Sequence, residues 1–540
     1  MRGQLLIVFG RDFELRWLRT AMQRVILTGP PIEPHPPAQK STEVFSLVIL
    51  WSAREPHRVG ESANCFPSVR YILGRAPTES SVESPLCFHP RRPGTLAASQ
   101  RSPNSEASEL LGESISRRQL ELFVDDKGLY VRNVGRCPLW LNGSLTGTGT
   151  VMHGDTIHLQ QQLLLLCVRT PLEPSPLRFY PVERAGDFGH ADKDGIVGES
   201  TATWRLREEI AASAVSEGHV LVLGATGSGK ELVAQMVHQL SNRKQQSLVV
   251  DNISTMPSSL GAAMLFGNRR HFPNPGMEER KGLLGLAEGG SLFLDELGDM
   301  SDELQPMLLR VMERTGEYTR LGEESQPRRA NIRVIGATNR PERIRIELRR
   351  RFQHEIIVPE LTERREDIPL LLRHLLRMSA NSRRYAARFL SQGEPRIDPL
   401  LIEQLVHHPY STHVAELAFL IERALKDSEG EILRPFTGGL PRLHGRLGKA
   451  QSGPVASSPP CDHETVTFPL PSLSSARLPS PQEAQQALDD MGGSVVRAAT
   501  ALSITRHQLN RLIRKSGLVV NRPSLEHRKQ PERTSRTRHG

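Results

Sequence analysis

The sequence predicts three folded parts in tandem: an all-β sandwich, a central α/β domain organised on a phosphate-binding loop, and a small all-α unit near the carboxyl end. Three observations carry this. Short apolar strands separated by turn signals run from about residue 43 to 169 with no helices between them. A β-rich run, a glycine-dense turn and a helical repeat follow one another through 220–240. Three short helical segments, the last opening on the capping-box pair Thr505 and Gln508, lie between about 481 and 518.

The chain has 540 residues, enough for several cores, and its 39 Pro and 43 Gly imply linkers between them. Formal net charge is +9, and residues 497–540 alone hold 11 Lys/Arg against 2 acids, so the excess sits in the carboxyl tail. Such a tail suits nucleic acid, or is otherwise a solvated extension. The five cysteines show no CxxC spacing, which argues against a zinc site and a disulfide framework. Leu5 to Phe9 is too short for a signal core or a membrane span and is followed at once by Asp12 and Glu14, so a cytoplasmic protein is expected. Residues 1–42 run into PPIEPHPP and are expected to be an extension without assigned function.

In the β region (43–170) the strands read as FSLVILW, RYILGR, QLELFVD, GLYVRNV, PLWLNG, DTIHLQ and QLLLLCV, with turns at Asp126-Lys127-Gly128 and Asn142-Gly143. The polar run from Arg91 to Glu113 reads as a flexible loop. Gly74-Arg75, Ser116-Arg117-Arg118-Gln119, Asn133-Val134-Gly135, Leu141-Asn142-Gly143 and Gly154-Asp155 occur in an order that resembles a forkhead-associated (FHA) domain, a binder of phosphothreonine peptides. That resemblance assigns Arg75, Ser116, Arg117 and Asn142 to the phosphopeptide; Arg suits this because its planar fork bonds phosphate oxygens bidentately. Gln119 stands where the family has His, and Cys137-Pro138-Leu139 replaces its Ser-Thr-Asn loop. A sandwich kept for protein contact without phosphate binding is the alternative.

Residues 171–192 read as a linker, and the α/β domain as 193–430. In LVLGATGSGKELV the glycines Gly224, Gly227 and Gly229 let backbone N–H groups of Gly224, Ala225, Thr226, Gly227, Ser228 and Gly229 turn toward a polyphosphate. Lys230 adds a point charge, and Glu231 replaces the Ser/Thr that ordinarily ligates magnesium. A plain glycine turn is the alternative for this stretch alone. At GGSLFLDELGD a buried strand ends in Asp295 and Glu296, and in a parallel sheet ligands bind beyond the carboxyl ends of the strands, where these two acids emerge. Asp295 would hold magnesium through water and Glu296 would orient or deprotonate the attacking water, so the two stretches together read as an ATPase with ATP and Mg as its cofactors.

GIVGES (195–200), GSGKE, DNISTMP, LFG (265–267), RKGLLGLAEGGSLFLDELGDM, RVIGATNR and ERREDIPLLL, in that order over roughly 230 residues, resemble the AAA+ domain, with helical lid, of bacterial enhancer-binding proteins, the activators of sigma-54 RNA polymerase. The resemblance implies that Asn252 relays nucleotide state to Glu296, that Asn339 senses the γ-phosphate, and that Arg345 and Arg351 reach the nucleotide of a neighbouring subunit. An arginine supplied in trans neutralises charge on the transferring phosphoryl group, so a homo-oligomer, a hexameric ring when active, is implied. The family's sigma-contact loop, Gly-Ala-Phe-Thr-Gly-Ala, aligns with His271, Phe272, Pro273, Asn274, Pro275 and Gly276, and Ala415 stands where an arginine normally touches nucleotide.

A Pro/Ser-rich linker (431–480) leads to the all-α unit (481–520) and a basic tail (521–540). The helices, with Ala498-Ala499 and a turn near Ser503-Ile504, resemble the Fis-type helix-turn-helix of enhancer-binding proteins; Thr505, Arg506, His507, Asn510, Arg511 and Arg514 are then the expected DNA contacts. A helical hairpin used only for dimerisation is the alternative. The combined expectation is a transcription activator that binds upstream enhancer DNA and remodels the sigma-54 RNA polymerase holoenzyme with ATP. Its control would come from a phosphothreonine protein or Ser/Thr kinase, since no receiver domain is identifiable. The rival expectation is a DNA-bound scaffold or repressor that binds ATP, hydrolyses it weakly or not at all, and does not engage sigma-54.

Overall fold

In a computed structural model of the chain, the described residues are 43–75, 83–93, 110, 112, 114–172, 176–257, 259–272, 274–323, 327–382, 384–438, 440, 482, 485 and 486. The expected DNA contacts Thr505, Arg506, His507, Asn510, Arg511 and Arg514, and Pro273 of the loop, lie outside them.

The amino-terminal part is a sandwich of two five- and six-stranded sheets. Its strands are β1 (Glu43–Ser52), β2 (Ser62–Cys65), β3 (Arg70–Leu73), β4 (Glu83–Pro85), β5 (Leu120–Val124) and β6 (Leu129–Asn133). They continue with β7 (Leu139–Leu141), β8 (Ser144–Thr146), β9 (Thr148–Val151), β10 (Thr156–Leu159) and β11 (Leu163–Pro171). One sheet runs β2-β1-β11-β10-β7-β8 and the other β4-β3-β5-β6-β9. The long antiparallel pair β1 and β11, registered from Glu43↔Pro171 to Ser52↔Leu163, is buried almost without alternation. A strand buried at successive residues is covered on both faces. Here one face meets the second sheet and the other meets helices from residues 361–433, and the sandwich and those helices share one apolar cluster. Strands β2, β4, β8 and β9 were not among the sequence expectations, because SANC, ESP, SLT and TGTV are too short and polar to show a period.

The α/β domain has a five-stranded parallel sheet of β12 (His219–Leu223), β13 (Leu248–Asn252), β14 (Ser291–Asp295), β17 (Arg333–Thr338) and β18 (Phe352–Ile357), in the order β13-β14-β17-β12-β18. A small antiparallel ribbon, β15 (Glu317–Tyr318) with β16 (Arg328–Arg329), stands beside it. Helices α1 (Thr201–Val215), α2 (Lys230–Leu240) and α3 (Leu304–Met312) belong to this part. The lid is built from α4 (Ile368–Ser382), α5 (Pro399–His407) and α6 (His413–Asp427).

Polar hubs hold these parts in place. Asp367, just before α4, accepts bonds from the backbone N–H of Glu199 (2.8 Å) and Ser200 (2.9 Å) and from the hydroxyls of Ser200 and Thr203 (2.6 Å each). The Ser200 hydroxyl also caps α1 by accepting from Thr203 N–H. Arg207 of α1 pairs with Asp192 at 2.9 Å, and both are buried. Its other nitrogens donate to the carbonyls of Ile196 and Gly198.

Two stretches are more firmly held than their composition suggests. Within the expected linker, Tyr180 is buried against Trp204, and the Glu208 carboxylate accepts the consecutive N–H groups of Arg178, Phe179 and Tyr180. At the start of the expected flexible loop, Arg91 donates to Thr170 and the Pro171 carbonyl, while Arg92 forks onto Glu199 at 2.5 and 3.1 Å. Arg92 therefore ties the sandwich to the α/β domain. A second tie reaches the lid: the buried Thr156 hydroxyl donates to Glu403 (2.5 Å) and lies 3.3 Å from His407 Nε2.

Asp367→Ala is expected to cost about 3 kcal/mol, because it strands several buried donors at once, whereas Ser200→Ala removes a cap and costs about 1 kcal/mol. Urea melts of the two variants beside the wild type measure both. Within the lid, burial pushes Glu416 up, but bonds from His408, Thr412 and Ser411 outweigh it and hold the carboxylate at about 2. A depressed carboxylate stabilises the fold above its unfolded pKa and loses that contribution as pH falls through the folded one. The gap in urea midpoint between wild type and Glu416→Gln should hold constant above pH ~5 and shrink between ~4.5 and ~2.

Candidate nucleotide site

The expected nucleotide residues meet at one edge of the parallel sheet. Strand β12 leads into the glycine loop, β14 ends at Asp295, and β17 ends just before Asn339. Parallel strands with β12 beside β17 and β17 beside β14 bring these three ends to the same side. The loop is tied to its neighbour strand by Gly224 N–H to Thr338 O (3.3 Å). Gly227 (φ +77°) and Gly229 (φ +105°) occupy left-handed backbone that a side chain would strain, and Gly229 opens α2. A Cβ at Gly227 would stand 2.3 Å from the Thr412 carbonyl, so the loop is also pressed against the start of α6.

Lys230 is buried, and its ammonium donates to the carbonyls of Gly224 (3.1 Å) and Ala225 (3.2 Å) across the loop mouth. Asp295 accepts the amide of Asn252 at 3.2 Å and the backbone N–H of Glu296 at 2.9 Å. The Asn252 side chain is thus bonded to Asp295 and to Ser254, rather than to Glu296. Glu296, the residue after the strand, sits at φ +49°, left-handed backbone that is strained for a residue other than glycine. Its pKa is raised, first by burial; Lys230 opposes that and Asp295 adds to it. Asn339 donates to the Thr226 hydroxyl at 2.8 Å, joining the β17 end to the loop.

Glu231 bonds Gln235 on the first turns of α2. Arg345 and Arg351 are half-exposed, near Asp302 (3.7 Å) and Glu313 (3.1 Å) respectively. Ala415 donates its N–H to Gly227 O at 3.3 Å, and its methyl faces the same glycine.

The loop aligned with the sigma-contact motif is folded back on the ribbon. The Asn268 amide nitrogen lies within bonding distance of the carbonyls of Arg269, Phe272 and Glu278. His271 takes φ +65°, donates its N–H to Met277 O, and accepts Gly276 N–H on Nδ1. Asn274 O accepts Met277 N–H, Pro275 lies in that turn, and Phe272 packs against Gly322.

In the sandwich, Arg75, Ser116 and Arg117 gather at one end. Arg75 N–H donates to Ser116 O (3.1 Å), and Arg117 O lies 1.9 Å from where a Gly74 Cβ would stand, so glycine is required there. Gln119, fully buried, braces this end: its carbonyl accepts the N–H of Ser116 and Cys137, and its amide donates to Asn133 and to Cys137 O. Arg136 N–H donates to the Ser116 hydroxyl (2.9 Å) and adds an exposed arginine that motif reading missed. Asn142, at φ +48°, instead bonds Asp155 and accepts the N–H of Thr156.

Comparison with known proteins bears on the central part of the chain. Residues 196–358 match the family model described as the sigma-54 interaction domain. The chain is 32% identical over 352 residues to the anaerobic nitric oxide reductase transcription regulator NorR of Aeromonas salmonicida, covering 60% of this chain and 63% of that one. To the transcriptional regulatory protein ZraR of Escherichia coli K12 it is 34% identical over 328 residues, covering 59% and 68%. The chain thus spans less than two thirds of the NorR relative. Among solved structures, NtrX from Brucella abortus in complex with ADP aligns with TM-score 0.42 at 24% identity, over 62% of this chain and 70% of that one. The chain belongs to the family of transcription regulators built on the sigma-54 interaction domain.

Proposed function

We propose that the chain is a sigma-54-dependent activator whose central domain binds and hydrolyses ATP. The observation that carries this is the convergence of Lys230, Asp295, Glu296 and Asn339 on the glycine loop. The residues fit the ligand: two left-handed glycines open backbone N–H groups to an anion, and the buried Ser228 hydroxyl has no partner among the described residues. Gly224 to Gly229 would cradle the phosphates, and Lys230 would exchange its two carbonyls for phosphate oxygens.

Asp295 would hold magnesium through water, which supplies charge neutralisation on the phosphates. Among the described residues no cluster of three or more His, Cys, Asp or Glu forms a ready metal site, so one carboxylate plus nucleotide oxygens is the donor set to expect. Glu296, with its raised pKa, accepts a proton from the attacking water more readily than an ordinary glutamate. Asn339, already on Thr226, would sense the terminal phosphate, and Asn252 would steady Asp295. Arg345 and Arg351, half-exposed, would exchange Asp302 and Glu313 for the nucleotide of a neighbouring copy in a ring.

The sandwich would read phosphothreonine with Ser116 and the exposed Arg75, Arg117 and Arg136, and Gln119 would do the bracing expected of a histidine. Asn142 would act through Thr156, which meets Glu403 and His407 of the lid. Phosphopeptide binding would thereby bias the lid. The helix-turn-helix would bring the assembly to enhancer DNA, in the cytoplasm, and ATP turnover would remodel the sigma-54 holoenzyme.

A second reading, a scaffold or repressor that turns ATP over poorly, is favoured by Ala415 against Gly227 and by the folded-back loop at 268–280.

Steady-state ATPase assays across protein concentration, beside Lys230→Ala and Glu296→Gln, separate the two readings. Activator chemistry gives turnover that rises with concentration and is lost in both variants; absent turnover where a ring forms gives the second reading. The acid limb of the wild-type rate profile should lie above ~4.3, the value for an unperturbed glutamate. For the sensor, Arg75→Ala and Arg117→Ala should each weaken binding of a phosphothreonine peptide. Thr156→Val should leave peptide affinity near wild type but abolish the peptide's effect on turnover, and peptide control surviving in that variant would remove Thr156 from the route.

A further inference from the structure

Arg364, at the entry to the lid, is 4% exposed and makes no ion pair among the described residues. Among the described residues its side chain makes one hydrogen bond, from Nη2 to the carbonyl of Ser228 in the glycine loop, at a long 3.4 Å. Among the described residues its buried Nε has no partner, and neither do the hydroxyls of Ser228 and Thr412. The three orphaned groups surround one junction, where Thr412 O and Ala415 press on Gly227.

The acids in range do not supply the missing partner. Asp367, the nearest in charge terms, is already filled by Glu199, Ser200 and Thr203; Glu363 and Glu366 act only at a distance, and Arg207 repels. A guanidinium buried without a counter-ion is costly, and phosphate is the anion its fork fits best. The methyl of Ala415 brings no charge to this junction, which leaves Arg364 as the cation that the lid turns toward the loop.

We propose that Arg364 is a nucleotide-contacting residue, with the polyphosphate of the bound nucleotide as the counter-ion its pocket lacks; this rests on the ATP reading above. Fluorescent (mant) ATP and ADP titrated into the full chain test it, with Lys230→Ala marking loss of the site. Arg364→Ala should weaken both nucleotides about 10- to 100-fold, and Arg364→Lys should recover part of the loss. Adding Ala415→Arg to Arg364→Ala should restore binding, because it returns a cation to the same junction.

Thermal melts without nucleotide separate contact from scaffolding. Wild-type affinity in Arg364→Ala overturns the proposal. So does a loss of affinity matched by an equal loss of unliganded stability, with Lys no better than Ala and no rescue from Ala415→Arg. If the wild type itself binds no mant nucleotide, the ATP reading falls and Arg364 with it. If the wild type binds and Arg364→Ala binds equally, only the Arg364 assignment falls.

Discussion

The carboxylate of Asp367 is the interaction on which the rest of the described structure depends. It draws the first turn of α1, the Glu199 backbone and the entry to α4 onto two oxygen atoms. Glu199, fixed by its own N–H, then presents its side chain to Arg92 of the sandwich, to Trp204 Nε1 and to Gly189 N–H. Gly198 has to be glycine, since a Cβ there would stand 2.4 Å from the Asp367 carboxylate. One buried acid thereby links the sandwich, the sheet domain and the lid. It does so through donors that would each be left unsatisfied if it were absent.

The nucleotide edge shows the same economy with opposite electrostatics. Lys230, Asp295 and Glu296 lie close enough that Lys230 and Asp295 pull the Glu296 pKa in opposite directions, with burial deciding the sign. A glutamate poised above its ordinary value needs this balance. An unopposed lysine would hold it ionised and weakly basic, and an unopposed aspartate would keep it protonated. The left-handed turn at Glu296 places strained backbone directly after Asp295, the last residue of β14.

Much of this was legible in the sequence, and the misses share a cause. The parallel sheet and the glycine loop announce themselves because LVL, LFL and VIGAT are apolar runs ending in polar residues of fixed chemistry. The sandwich was legible from β1, β3, β5, β6, β7, β10 and β11, whose apolar content is high, and not from the polar edge strands. What periodicity cannot show is where a charged side chain ends up. Arg92, Glu208 and Asp367 show nothing of their partners in the local pattern, yet each is held by groups distant in the chain. Gln119 looked like a departure from a motif, but an amide offers both a donor and an acceptor, which is what this loop uses.

The loop at 268–280 illustrates how such tertiary contacts bear on motion. Pro273 and Pro275 fix φ at two positions of the loop itself. The structure adds that Asn268 pairs with Arg280 on one side and with Leu321 on the other, while Phe272 covers Gly322. Any displacement that kept these contacts would have to carry the 317–329 ribbon along, and any that moved the loop alone would break the Asn268 amide bonds together. Loop and ribbon are therefore one mechanical unit. Its connection to the sheet runs through Gly316 and Ala330, which bond each other across the ribbon base just before β17 begins. Because β17 also ends just before Asn339, which bonds the glycine loop, this strand and the short segment 330–332 ahead of it run from the base of that unit to the nucleotide edge.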